Sequence, residues 1–210
     1  MLGGMDATDP HAVTSLAALE ALYPAPSEVA RNKAGDRMGA ATRAFIAASP
    51  FCLLATTGGG GLHVTPRGDA PGFATVADDH TLVLPDQRGN NRLDALRDIL
   101  NDPRVALLFL VPGAGETLCL HGRARITTDP MLRAAHAADG KEPATLLVVA
   151  VETVFMQCAK ALIRSRLRAG ASRPGGLPTL GVLVADHTAG RHGGAALDAR
   201  IPAAYRDTLY

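Results

Sequence analysis

Residues 62–110 read LHVTPRGDAPGFATVADDHTLVLPDQRGNNRLDALRDILNDPRVALLFL, and the order of turns and apolar runs in this stretch decides the fold. Two short apolar-rich runs, Gly72 to Ala77 and Thr81 to Leu84, flank Asp78-Asp79-His80 and read as hairpin pieces, because strand-like runs broken by turn formers fold back on each other. The polar loop Pro85 to Gly89 then opens a segment in which Leu93, Leu96, Ile99 and Leu100 recur at helical spacing, which puts Asn90 or Asn91 at the N-cap. The first N–H groups of a helix have no partner within it and carry the positive end of its dipole, so an anion is favoured there. Arg92 adds a formal charge, and Arg67, in Thr65-Pro66-Arg67-Gly68, ends the preceding strand with a guanidinium whose paired donors suit phosphate oxygens. A capped surface helix carrying Arg92, with Arg67 pairing to Asp69 in a turn, has the same pattern. Spacing alone leaves both readings open.

Upstream, Phe51 to Thr57 is a continuous apolar run of strand length after Pro50, and Gly58 to Gly61 turns it back into Leu62 to Pro66. The four glycines are not a phosphate loop, because strand-like LHVT follows them and no Lys-Ser/Thr pair is present. Downstream, Arg104 to Val111 and Glu116 to Thr127 form a second hairpin around Pro112 to Gly115. Asp129-Pro130 starts a short helix through Ala138, and Ala144 to Val151 reads as a buried strand that closes the sheet. Phe155 to Leu167 reads as a helix, with Lys160, Arg164 and Arg168 along one face, a pattern that a solvated basic face shares.

At the N-terminus, Met1 to Pro10 is expected to be mobile; Leu16, Leu19 and Leu22 follow a Thr14-Ser15 cap, and Ser27 to Ser49 reads as helix in two pieces. At the other end, Ala169 to Pro178 reads as a linker, followed by a short helix at Thr179 to Ala185 and a polar tail. The expected organisation is residues 1–26 as an N-terminal segment, 27–168 as the main domain and 169–210 as linker and tail.

The 210 residues are 47% hydrophobic and 20% charged with net charge +1, values of an ordinary globular chain. So small a charge supplies no basic field for nucleic acid or anionic membrane, and no apolar run reaches membrane-spanning length. A cytoplasmic protein is expected, with Cys52, Cys119 and Cys158, all inside apolar runs, as buried thiols. The seven histidines form no HExxH or Cys/His cluster, so no metal site is expected. Short strands with helices at the ends fit an antiparallel α+β barrel, and the absence of GxGxxG disfavours a Rossmann dinucleotide fold.

TPRGDAPGF, PDQRGNNRLDALRDIL and DPRVALLFLVPG resemble successive blocks of the pyridoxamine 5′-phosphate oxidase-like flavoproteins. From Phe51 to Leu167 the chain is most similar to a bacterial branch carrying SPRGD-PGF, GNNR and CAKAL-RS blocks. The resemblance implies an antiparallel split β-barrel with peripheral helices, assembled as a homodimer with FMN at the subunit interface. It also implies roles for individual residues. His63, Thr65 and Arg67 match the strand lining the flavin, Leu84 and Pro85 the strand end beside the ring, and Asn90, Asn91 and Arg92 the block gripping the phosphate. Thr117 stands where better-known relatives have Gln near the ring, and Lys160, Arg164 and Ser165 match the branch's C-terminal block. That block is usually followed by Leu-Trp, whereas Leu167 is followed here by Arg168.

The activity so implied is FMN-dependent transfer of hydride or electrons between a reduced donor such as NAD(P)H and a small molecule. A non-catalytic flavin or heme (tetrapyrrole) binder and a purely structural dimer without cofactor are the competing classes.

Overall fold

The structure is a computed structural model that describes residues 9–167 and 178–208. Residues 1–8 of the start expected to be mobile through Pro10, Arg168 and most of the linker lie outside the described residues. The chain divides into two compact units after Lys33. In the first unit, α1 (Leu16–Glu20) and α2 (Glu28–Asn32) are each capped by a serine, Ser15 accepting from the Ala18 N–H and Ser27 from the Ala30 N–H. Neither helix buries a residue within that unit.

From Ala34 onward the elements are α3 (Ala40–Ala48), β1 (Phe51–Gly58), β2 (Gly61–Gly68), β3 (Thr75–Val76), β4 (Thr81–Asp86), α4 (Asp94–Asn101), β5 (Arg104–Leu110), β6 (Thr117–Thr127), α5 (Pro130–Ala135), β7 (Thr145–Gln157), α6 (Lys160–Ser165), α7 (Leu180–His187) and α8 (Gly194–Thr208). The seven strands form one antiparallel sheet in the order β2-β1-β5-β6-β7-β4-β3.

The sheet coils until its two ends meet. Arg67 on β2 lies 3.3 Å from Asp86 on β4, and just past the two strands the Gln87 amide donates to Asp69 at 3.0 Å, so β2 at one end of the hydrogen-bonded order and β4, next to last at the other, meet through side chains. This makes the fold an α+β split β-barrel. Alternation fills its interior: Cys52 and Leu54 from β1, Leu107 and Phe109 from β5, Leu118 and Leu120 from β6, and Leu147 and Val149 from β7 pack against Met38, Ile46 and Ile99.

The β6–β7 register shifts between His121 and Gly122, whose partners jump from Thr153 to Val151 and leave Glu152 unmatched. The bulge flips the inward parity of β7, so burial passes from Val149 and Val151 to Val154. Gly122 is required at this crossing, because a Cβ there would run into the Ala150 carbonyl oxygen.

Four elements differ from the sequence expectation. The strand β7 continues to Gln157, so Phe155 to Gln157 are strand and the basic helix shrinks to Lys160–Ser165; the ladder to β6 supplies partners that local pattern does not reveal. The polar tail is helical: α8 packs on α7, with Asp198 accepting from Thr179 Oγ1 at 2.6 Å and from the Gly181 N–H at 2.8 Å. The helix α4 starts at Asp94 rather than after Asn90 or Asn91, because Asn91 and Leu93 both hold left-handed backbone (φ 59° and 60°) that no helix propagates through. Its apolar face is consequently Ala95, Leu96 and Ile99, while Leu93 and Leu100 are exposed.

Candidate functional site

Strand β2 presents Leu62, Val64 and Pro66 on its exposed side and His63, Thr65 and Arg67 on the other. The second set faces the loop that leaves β4 and the start of α4, and together with residues 86–96 and 141–144 it walls a cleft of about 740 Å³. That volume lies within the ordinary range for small-molecule sites. Of the residues named from the sequence, His63, Thr65, Arg67, Asn90, Asn91 and Arg92 are brought together here. Leu84 lies in the core instead, and Pro85, paired with Leu146, lines a neighbouring cleft with Phe73 and His136. Thr117 is buried at the start of β6 between Leu110 and Gln157. Lys160, Arg164 and Ser165 are exposed on α6 and line neither cleft.

Arg67 is held from several directions. Its Nη1 donates to Thr65 Oγ1 at 3.2 Å and to the Pro66 carbonyl at 3.1 Å, and its Nη2 faces Asp86. Its Nε is buried with no hydrogen-bond partner. An orphaned buried donor is costly unless a ligand or water meets it, so this atom marks where the cleft expects an acceptor. His63 Nδ1 is the second buried orphan on the same strand.

The loop is shaped by its asparagines. Asn90 Oδ1 accepts from the Arg92 N–H at 3.1 Å in a side-chain turn, and the left-handed Asn91 reverses the chain. Arg92 is 75% exposed and its guanidinium lies 2.8 Å from the Asp94 carboxylate. Both arginines singled out for phosphate are thus paired with a carboxylate.

Burial pushes the Asp86 carboxyl above the usual carboxylate range, against the opposing pull of Arg67. Burial likewise drives the Cys52 thiol up to about 12, again with Arg67, its cross-strand partner, acting in the other direction. Cleft residues that sequence reading missed are Asp86, Gln87, Arg88, Lys141 and Glu142. Asp86 and Gln87 fell inside a segment read only as loop, and the segment 141–144 reaches the cleft through tertiary packing that leaves no local pattern. Among the described residues no group of three or more His, Cys, Asp or Glu side chains is placed to hold a metal, and no helix is long and apolar enough to cross a membrane.

The family model described as pyridoxamine 5′-phosphate oxidase matches residues 38–158, more than half of the chain, and the protein belongs to that family. No curated protein matches it. Among solved structures, HupZ of Group A Streptococcus is similar at 15% identity and a TM-score of 0.45, over 63% of this chain and 95% of that one. An FMN-binding protein from Syntrophomonas wolfei subsp. wolfei is similar at 10% identity and a TM-score of 0.42, over 54% and 82%. A FAD-binding protein from Mesorhizobium loti is similar at 19% identity and a TM-score of 0.40, over 59% and 96%.

Proposed function

We propose that the cleft between β2 and the 87–94 loop binds FMN, with the phosphate received by Arg67 and the Asn90-Asn91-Arg92 turn, and that the protein is an FMN-dependent oxidoreductase acting on a small molecule. The observation that carries this reading is the buried Nε of Arg67, a cationic donor without a partner on the wall of a cleft large enough for a flavin. The residues present fit the group. Arg88, Arg92 and Lys141 add positive charge around the same opening for a phosphate, and Ala95 and Leu96 add apolar wall for a ring. Bound there, a flavin would supply chemistry for hydride or electron transfer between a reduced donor such as NAD(P)H and an acceptor. The chain's own residues bind, orient and set the charge around it.

The proposal includes a homodimer. The outward face of β2 is apolar where an edge strand is ordinarily polar, with Leu62 89% exposed and Val64 60% exposed. A second copy against this edge covers both residues and borders the cleft on the other face of the same strand.

The test is the visible absorption spectrum of freshly purified protein, mass identification of whatever is released on heating, and stopped-flow reduction of the bound group by NADPH and NADH. The expected result is FMN, reduced by a nicotinamide and reoxidised by an added acceptor. Bound flavin that no donor reduces supports a storage or sensing role instead. Colourless protein that FMN does not reconstitute rejects the proposal.

A further inference from the structure

His63 and Thr56 are direct partners across the β1–β2 hairpin, and both approach one carboxylate oxygen of Asp98 on α4. Thr56 Oγ1 donates to Asp98 Oδ2 at 2.8 Å. His63 Nδ1 lies 3.8 Å from the same oxygen, buried and without a hydrogen-bond partner. Room for the carboxylate is made by Gly58, where a Cβ would run into Asp98 Oδ1. Three elements therefore fix Asp98: its own helix, the hydroxyl of Thr56 and the missing side chain of Gly58.

A carboxylate only accepts, so the ring nitrogen turned toward Asp98 is satisfied only when it carries the proton. A neutral imidazole has a single N–H, and placing it on Nδ1 leaves a lone pair on Nε2. The ring lines the cleft and is 36% exposed, whereas Nδ1 is shielded on the Asp98 side. Nε2 is thus the nitrogen available to a ligand.

We propose that Thr56, Asp98 and His63 form a proton-positioning relay, in which Asp98 holds His63 as its Nδ1–H tautomer and presents Nε2 to the cleft as the acceptor of a ligand N–H or O–H proton. The ligand's N–H or O–H bond breaks, its electron pair stays on the ligand heteroatom, and the proton joins Nε2. The resulting imidazolium keeps its Nδ1–H turned toward the Asp98 carboxylate, 3.8 Å away. Asp98 and Thr56 are positioning residues, and neither lines the cleft. The relay's role toward a substrate rests on the cofactor reading above, but its tautomer does not.

The test uses the full chain labelled with nitrogen-15, ligand-free, at about pH 8, where an ordinary imidazole is neutral. Long-range proton–nitrogen correlations identify the protonated ring nitrogen, and the His63 signals are assigned by their loss in His63→Gln. In the unaltered protein the Nδ1–H form is expected to dominate. In Asp98→Ala, which removes the accepting oxygen that faces Nδ1, the ratio of Nδ1–H to Nε2–H should fall at least fivefold. Dominant Nε2–H in the unaltered protein overturns the proposal without recourse to any variant, and an unchanged ratio in a folded Asp98→Ala overturns it too. A protein that shows the expected tautomers yet binds no FMN keeps the relay and rejects the cofactor reading. One that binds FMN but lacks the tautomer bias does the reverse.

Discussion

Arg67 Nη2 stands 3.3 Å from the Asp86 carboxylate across the seam where the two ends of the sheet meet, each side chain about 20% exposed. The pair closes the barrel and also lines its cleft. One contact therefore serves the fold, and it leaves part of the guanidinium for the ligand proposed above.

The negative charge of Asp86 competes with any phosphate that Arg67 receives. Asp86→Asn removes that charge while keeping the shape, and about 1 kcal/mol of relieved repulsion at the partly screened site should tighten FMN about fivefold. Fluorescence quenching of FMN on titration measures it. Weaker binding in this variant would mean that Asp86 holds Arg67 in place rather than competing for it.

The same residue has a signature in stability. Burial raises the Asp86 carboxyl, so the native state holds that proton more tightly than the unfolded chain does. Its contribution is therefore favourable in acid, falls as pH rises from the ordinary carboxylate value toward the raised one, and is constant above. Asp102 runs the other way. Arg104 donates to it and holds it at about 2, so its contribution is present above the ordinary carboxylate range and lost as pH falls toward that value. Subtracting the urea-unfolding curve of Asp86→Asn from that of the unaltered protein across acid pH isolates the Asp86 slope, which should be negative. A flat difference would place the Asp86 carboxyl at its ordinary value.

The two arginines of the cleft should not be equal. Arg67 is largely buried with one donor unmet, whereas Arg92 is exposed and engaged with Asp94. Losing a buried charge-assisted contact costs about 1.5 to 3 kcal/mol, so Arg67→Ala should weaken FMN tenfold or more. The solvent-screened Arg92→Ala should cost only a fewfold loss. Riboflavin, which lacks the phosphate, should bind the unaltered protein about as weakly as FMN binds Arg67→Ala. Equal FMN and riboflavin affinities would remove the phosphate from both residues.

Local chemistry made much of this fold legible. The glycines at 58–61 announce the β1–β2 hairpin, Asp129-Pro130 starts α5 with the aspartate accepting from the Met131 and Leu132 N–H groups, and the strand-like apolar run RVALLFL predicts β5. Polar residues at a strand end and before a helix left a phosphate site at Arg67 and Asn90 to Arg92 as one of two open readings, while His63 and Thr65 came from the family resemblance alone; the structure places all six on one cleft. What escaped depends on partners distant in sequence. Asp98 looks like an ordinary helix-surface aspartate until Thr56 and His63 arrive from another hairpin, and Asp86 looks like a loop residue until β7 pairs with it through Thr145. The start of α4 was misplaced because the left-handed turn at Asn91 and Leu93 satisfies the loop better than one more helical residue, a preference that apolar periodicity does not carry.

The thiols should separate by burial. Cys158 is exposed, while Cys52 is buried in the barrel with its thiol driven up to about 12. Because the thiolate is the reactive form, maleimide or iodoacetamide should label Cys158 in the native protein and Cys52 only after unfolding. Peptide mass mapping before and after urea reads this directly, and native labelling of Cys52 would mean that the barrel opens on the labelling timescale.

The final prediction concerns assembly. The apolar runs at 51–55, 107–111 and 146–151 suggest from sequence alone that one barrel cannot cover them, yet the barrel buries Cys52, Leu54, Leu107, Phe109, Leu146, Leu147 and Val149, and alternation leaves most of their neighbours half-buried. Those runs build the core. The most exposed large apolar side chains of the sheet are on β2, where Leu62 and Val64 face away from the cleft at the end of the sheet order. Burying two such side chains against a second copy contributes about 3 to 6 kcal/mol of transfer free energy, enough to matter for a dimer. Leu62→Glu with Val64→Glu places two charges on that face and should convert a dimer to a monomer by light scattering at micromolar concentration, with little change in far-ultraviolet circular dichroism. If FMN is bordered by the second copy, its affinity should fall in the same variant, even though His63, Thr65 and Arg67 on the other face of β2 are untouched. A double variant that stays dimeric moves the interface elsewhere, and one that becomes monomeric but keeps its flavin affinity separates the cleft from the assembly.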